Sequence, residues 1–279
     1  MIEKDVIHNA DCIAGIQQML AQGYAGKVDA VITDPPYNIN FSSQRRAEKF
    51  EVIENDNLSD AEFLQLLSDY FKGCYDLLKN DSYLITFMSW KTADTFKKAL
   101  VAAGFTIQAM PIWVKNNFGL GFYIRPQYEP MYLCLKGKPK PPETAPSDVL
   151  IFPKVKDLIH SCQKPFDLIC RLMEHYSKQG DLVFDGFMGS ATTAVAAAKM
   201  QRHYVGFEIG KEEYKNAIER IKRATAQGSI FDLLAGAALI KKAQRSLYGL
   251  FQRNGRAALF RTNQRSSART ITATARSAY

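Results

Sequence analysis

Apolar positions along this chain recur with two periods, and the periods alternate. Short apolar runs at residues 6–7 and Val28–Thr33 (V-D-A-V-I-T) read as strands. Residues 59–78 read as a helix: Phe63, Leu66, Leu67, Tyr70 and Leu77 fall on one face, and Ser59 stands where a cap belongs. Residues 83–88 are a strand, 92–102 a helix, and 105–114 and 128–135 two further strands. The turn formers Asn116, Asn117, Gly119 and Gly121 between those last two predict a hairpin. The second half repeats the alternation. A helix over 165–177 has Pro165 in its first turn, a strand at 182–184 follows, then a helix at 190–200, a strand at 204–207 and a helix at 211–223. This order predicts an α/β fold with a doubly wound, mostly parallel sheet.

Two stretches break the pattern. Residues 136–148 (K-G-K-P-K-P-P-E-T-A-P-S-D) are a Pro- and Lys-rich loop. Beyond Ala226 a basic amphipathic helix is expected over 230–251, and residues 252–279 lack any period and read as disordered. The expected organisation is one α/β domain at 1–226 and a basic extension at 227–279.

Charge sharpens that division. The net charge of +8 belongs to the end of the chain, because nine Lys or Arg and no acid follow Asp232, Lys241 and Lys242 among them. Such a tail favours polyanions. A solvated, unstructured end is the plain alternative. The five cysteines are scattered, with no C-x-x-C pair, which predicts reduced thiols in a cytoplasmic protein and no structural zinc. Neither a leader-like apolar start nor an apolar run of about 18 residues is found, so no membrane association is expected.

The chemistry concentrates at three strand ends. Asp34-Pro35-Pro36-Tyr37 follows the run Val28–Thr33 directly. Two prolines end a ladder and stiffen the turn, at the carboxyl edge where open α/β sheets bind ligands. The turn gathers a carboxylate, a carbonyl free of ladder duties and an aromatic ring. Asp34 and the Pro35 carbonyl can each accept a hydrogen bond from an exocyclic amine, and Tyr37 can stack on the ring that bears it. An ordinary strand-ending turn is the bland reading.

The second strand end is Phe184-Asp185-Gly186-Phe187-Met188-Gly189-Ser190-Ala191-Thr192-Thr193. Its glycines permit close backbone approach, and a helix N-terminus follows that suits a carboxylate. It lacks the Gly-Lys-Ser/Thr of a P-loop, and G-x-G-x-x-G does not fit the spacing. The third is Glu208, about 20 residues beyond the glycine turn, placed to accept both ribose hydroxyls of a nucleoside cofactor.

Together these residues resemble the amino-methylating DNA methyltransferases of the beta group, in which the D-P-P-Y strand comes first and the cofactor loop last. The resemblance covers roughly residues 5–223. It implies a Rossmann-like seven-stranded methyltransferase sheet of order 3-2-1-4-5-7-6 with strand 7 antiparallel, and S-adenosylmethionine as cofactor. It places Asp11 and Cys12 near the cofactor's adenine, with Ile209 beside Glu208. It assigns Asp34, Asp185, Phe187, Gly189, Ser190, Thr192 and Thr193 to the cofactor pocket. His160, Lys164 and Pro165, in H-S-C-Q-K-P, resemble the family's H-P-x-Q-K-P segment, which packs by the methionine end. Lys115 and Asn116, with Glu129-Pro130, resemble the region flanking the target base. Ser161, Gly186, Met188 and Ala191 depart from the family's usual residues without removing a functional group.

The implied activity is methylation of adenine N6 in double-stranded DNA by direct displacement, without a metal and as part of a restriction-modification pair or alone. The same geometry serves cytosine N4, although the cytosine enzymes more often begin the motif with Ser than with Asp. A non-enzymatic DNA-binding protein with a degenerate cofactor loop is the alternative of another class. Residues 137–159 are expected to hold a short target-recognition insert. Arg45 and Arg46, in the loop at 38–56, are expected to help hold DNA. Homodimers are common in the family, while the sequence is silent on a nuclease partner.

Overall fold

A computed structural model describes residues 1–39, 56–155 and 163–226. The chain divides into two units, Met1–Ser229 and Ile230–Tyr279, and every described residue belongs to the first. Arg45, Arg46, His160, Ser161, Cys162, Lys241 and Lys242 lie outside the described residues, as do the expected helix at 230–251 and the tail beyond it.

The chain order is β1 (Val6–Asn9), α1 (Cys12–Ala21), β2 (Val28–Thr33), α2 (Asp60–Leu77), β3 (Leu78–Phe87), α3 (Ala93–Ala103), β4 (Thr106–Ala109), β5 (Ile112–Val114), β6 (Tyr128–Lys136) and β7 (Val149–Ile151). There follow α4 (Phe166–Tyr176), β8 (Leu182–Asp185), α5 (Thr192–Lys199), β9 (His203–Glu208) and α6 (Lys211–Ala226). The strands line up as β1-β9-β8-β2-β3-β6, with β4 on the far side of β6. β1, β9, β8, β2 and β3 run parallel, and β6 runs antiparallel to both β3 and β4. This is the expected order 3-2-1-4-5-7-6. The fold is that of the methyltransferases.

Helices cover both faces, so the central strands are apolar without alternation. Ala30, Val31 and Ile32 of β2 are all fully buried. On one face α1, α2 and α3 close over Val31, Leu84, Phe184, Val205 and Phe207, and Phe63, Tyr70, Phe71 and Phe96 fill the space between. Ser59 caps α2 as expected, and Glu62 completes a reciprocal capping box.

Four points differ from the sequence reading. Residues 105–114 form two strands, because Pro111 supplies no N–H to continue a ladder. β4 and β5 pair in turn with different stretches of β6, so the expected hairpin is β5–β6. α1 occupies a stretch to which the sequence reading assigned no element. Its Gly15 lowers helix propensity but admits the Phe207 ring, where a Cβ would stand 2.3 Å from ring carbons. Within the stretch 137–159, Val149–Ile151 adds a strand parallel to β5.

Candidate active site

β2 and β8 are parallel neighbours, so Asp34 and Asp185 sit at adjacent strand ends although about 150 residues separate them in sequence. A buried hydrogen-bond chain ties the two ends together. Thr33 Oγ1 donates to Asp185 Oδ1 at 2.9 Å, which uses its only proton. Tyr70 Oη, 2.7 Å from Thr33 Oγ1, is therefore the donor there, and it accepts from the Gly186 N–H at 3.1 Å. Gly186 is required at this point, since a Cβ would lie 2.3 Å from the Tyr70 ring. Sequence placed Tyr70 on a buried helix face but offered no sign that its hydroxyl joins two strand ends.

Asp185 is buried, and burial pushes its carboxyl up to about 7 against the opposing hydrogen bonds from Phe187 N–H, Thr193 and Thr33. A buried carboxyl of this kind gains from a cationic ligand. Beyond it the glycine turn is held from two sides. Glu208, at the end of β9, accepts from Gly189 N–H at 2.7 Å and from Gly210 N–H at 2.8 Å. Arg220 reaches in from α6, its Nη1 donating to Ser190 O at 2.7 Å, Thr192 Oγ1 at 2.9 Å and Ser190 Oγ at 3.0 Å. Sequence reasoning missed Arg220, which looked like one more basic residue on an amphipathic helix. Ser190, Thr192 and Thr193 are buried around this loop. Met188, a departure from the family, is accommodated by Gly206, where a Cβ would stand 2.5 Å from the Met188 methyl.

Asp11 closes this side. Its Oδ1 caps α1 by accepting from Ala14 N–H at 2.9 Å, and Asn9 donates to the carbonyls of Glu208 and Ile209. Asp11, Cys12, Glu208 and Ile209 thus share one corner. A glycine turn, a buried acid and a second carboxylate at the next strand end suit a cofactor with a cationic end and a ribose, and the assigned residues fit it.

The other side is built on charge. Tyr37 Oη donates to Asp34 Oδ1 at 2.6 Å, and the Lys164 ammonium contacts Asp34 Oδ2. Lys164 also stands 3.5 Å from Glu129 Oε2, while Lys115 pairs with Glu129 Oε1. The result is an alternating chain Asp34–Lys164–Glu129–Lys115, leading from the catalytic turn into the β5–β6 hairpin. Burial pushes Glu129 up, but Lys164 and Lys115 together bring it below the usual carboxylate range. Both ammoniums lie near aromatic faces, Lys164 5.0 Å from the Phe87 centroid and 5.6 Å from Tyr37, and Lys115 5.0 Å from Trp113. Pro35 and Pro36 are buried, and Pro165 stands at the N-cap of α4 directly after Lys164. Asn116 accepts from Lys154 N–H at 3.0 Å.

The sequence profile of the family described as DNA methylase, N6_N4_Mtase, matches residues 28–220. The chain belongs to this family. It is 26% identical over 262 residues to the DNA adenine methyltransferase YhdJ of Escherichia coli (strain K12), covering 80% of this chain and 84% of that protein. The crystal structure of the M1.HpyAVI–SAM complex superposes with a TM-score of 0.60 at 26% identity, over 77% of this chain and 98% of that one. The cytosine-N4-specific PvuII DNA methyltransferase shares the fold, with a TM-score of 0.61 at 15% identity over 80% of this chain and 92% of that one.

Proposed function

We propose that this S-adenosylmethionine-dependent DNA methyltransferase transfers its methyl group to the N6 amine of adenine in double-stranded DNA. The observation that carries the reading is the placement of Asp34. A carboxylate leads the D-P-P-Y turn beside the cofactor loop, and a charged acceptor suits an amine that becomes cationic as it reacts. The adenine activity of YhdJ points the same way.

When bound, S-adenosylmethionine supplies an electrophilic methyl group. Asp185, Glu208, Asp11 and the loop from Phe187 to Thr193 would hold it, with Arg220 keeping Ser190 and Thr192 in place. Asp34 and the Pro35 carbonyl accept hydrogen bonds from the two amine N–H groups, an arrangement that would leave the nitrogen lone pair free to react. Negative charge on Asp34 then favours the developing positive nitrogen. Both Asp34 oxygens are engaged here, by Tyr37 and by Lys164. Productive binding therefore exchanges the Tyr37 hydroxyl for an amine N–H, which frees the Tyr37 ring to stack on the base. Lys164, fixed between two carboxylates, keeps Asp34 oriented through the exchange. The basic residues after Asp232 add salt-sensitive attraction to DNA phosphates.

Nucleoside analysis of DNA methylated in vitro tests the reading. N6-methyladenine is expected, and N4-methylcytosine would overturn it.

A further inference from the structure

The β5–β6 hairpin ends in apolar side chains that nothing in the described residues covers. Phe122 and Tyr123 are fully exposed, Ile124 is 81% exposed, and Leu120 and Phe118 are 69% and 59% exposed. Scattered surface apolars are ordinary, but five within seven residues are not. The segment that carries them is built rather than loose. Gly119 N–H donates to Pro126 O at 2.6 Å, Arg125 Nε returns to Gly119 O at 3.2 Å, and its guanidinium lies 5.4 Å from the Phe118 ring centroid. Gly121 approaches so closely that a Cβ would stand 2.0 Å from the Ile124 carbonyl oxygen.

The root of this hairpin is the target side of the site. Glu129 and Lys115 belong to its two arms, and Glu129 shares Lys164 with Asp34. Six residues separate Glu129 from Tyr123, a reach of at most about 20 Å. That is less than one turn of DNA, about 34 Å. Residues 116–128 hold Arg125 and no acid, so the tip faces no electrostatic barrier to a phosphate backbone.

We propose that the tip formed by Phe122, Tyr123 and Ile124 is a wedge that enters the duplex beside the target pair and occupies the stack while the target nucleotide turns out to Asp34. Turning a base out leaves a gap between its neighbours, and apolar or aromatic side chains are what fills such gaps. The proposal rests on methylation of duplex DNA and is indifferent to which amine is methylated.

The test compares wild type with F122A/Y123A on two oligonucleotides, a matched duplex and one with the target base mispaired so that it is already open. Loss of stacking by the tip should lower kcat/KM on the matched duplex about ten- to hundredfold. The mispaired substrate should lose less than about threefold, with S-adenosylmethionine affinity unchanged. A 2-aminopurine target should lose its fluorescence rise on binding. Equal losses on both substrates, or none, would overturn the proposal. So would recovery of the matched-duplex rate at high protein concentration alongside a dimer-to-monomer change, which would make the tip a self-association face. Wild type that methylates neither oligonucleotide would instead count against the DNA-methylation reading.

Discussion

Two acids at neighbouring strand ends have opposite surroundings. Asp185 is buried, which raises its carboxyl, and it accepts hydrogen bonds in a pocket whose hydroxyls, amides and guanidinium already satisfy one another. Asp34 is partly exposed and held by an ammonium and a phenol. Packing preorganises the cofactor side, so its ligand meets a finished cradle. Ion pairs hold the side assigned to the target, and in the proposed mechanism its polar contacts are exchanged when the base arrives. The difference follows from what each side receives: a small, constant molecule, or one nucleotide drawn from a large and varied polymer.

The deepest cut is on the target side. Asp34→Ala removes an acceptor at the reacting nitrogen and should lower kcat by about 10²–10³ or more. Cofactor affinity should change far less than the rate, because the Thr33–Asp185–Tyr70 hydrogen-bond chain does not run through Asp34. Single-turnover rates and cofactor titration read the two effects separately. Retention of a tenth of the wild-type rate would remove Asp34 from its role.

Glu208→Ala should do the reverse. Losing a charged acceptor for two ribose hydroxyls costs ~2–4 kcal/mol of S-adenosylmethionine binding. The rate at saturating cofactor should change little. Calorimetric titration that found unaltered affinity would show that Glu208 serves only the Gly189 and Gly210 amides.

The raised carboxyl of Asp185 gives the cofactor side a pH dependence. A cationic ligand prefers the ionised acid. Above about 7 Asp185 is already ionised and binding costs no proton; below it, binding must expel one. Affinity should therefore fall as pH drops through 7, by up to about tenfold per unit. Asp185→Asn should flatten the profile. A slope of the same size in that variant would assign the proton elsewhere.

The same contrast decides what was legible in sequence. Both strand-end motifs could be read because Pro and Gly mark them locally, and the strand order followed only from the family resemblance those motifs carry. Hidden were groups whose role depends on distant partners. Tyr70 lies 37 residues from Thr33 and 116 from Gly186, and Arg220 lies 30 from Ser190. Each looks ordinary in its own helix. The break at Pro111 was visible in the sequence and was outvoted by a continuous apolar run. α1 was concealed by Gly15, whose value is the space it leaves for Phe207.

The smallest expected effect tests whether strain in the cofactor loop is offset by packing. Ala191 adopts φ 59° and ψ 30° at the start of α5, a left-handed conformation in a fully buried residue. That conformation costs alanine ~1–2 kcal/mol, which Ala191→Gly would relieve. Glycine gives back ~0.4–1 kcal/mol through the freedom of the unfolded chain. Removing the buried methyl forfeits about 0.8 kcal/mol more. The contributions nearly cancel, so Tm should move by less than about 2 °C, given ~2–4 °C per kcal/mol for a domain of this size. A rise well beyond that in a thermal melt would mean that the loop stores strain its packing does not offset, and the cofactor side would then be less settled than its hydrogen bonds imply.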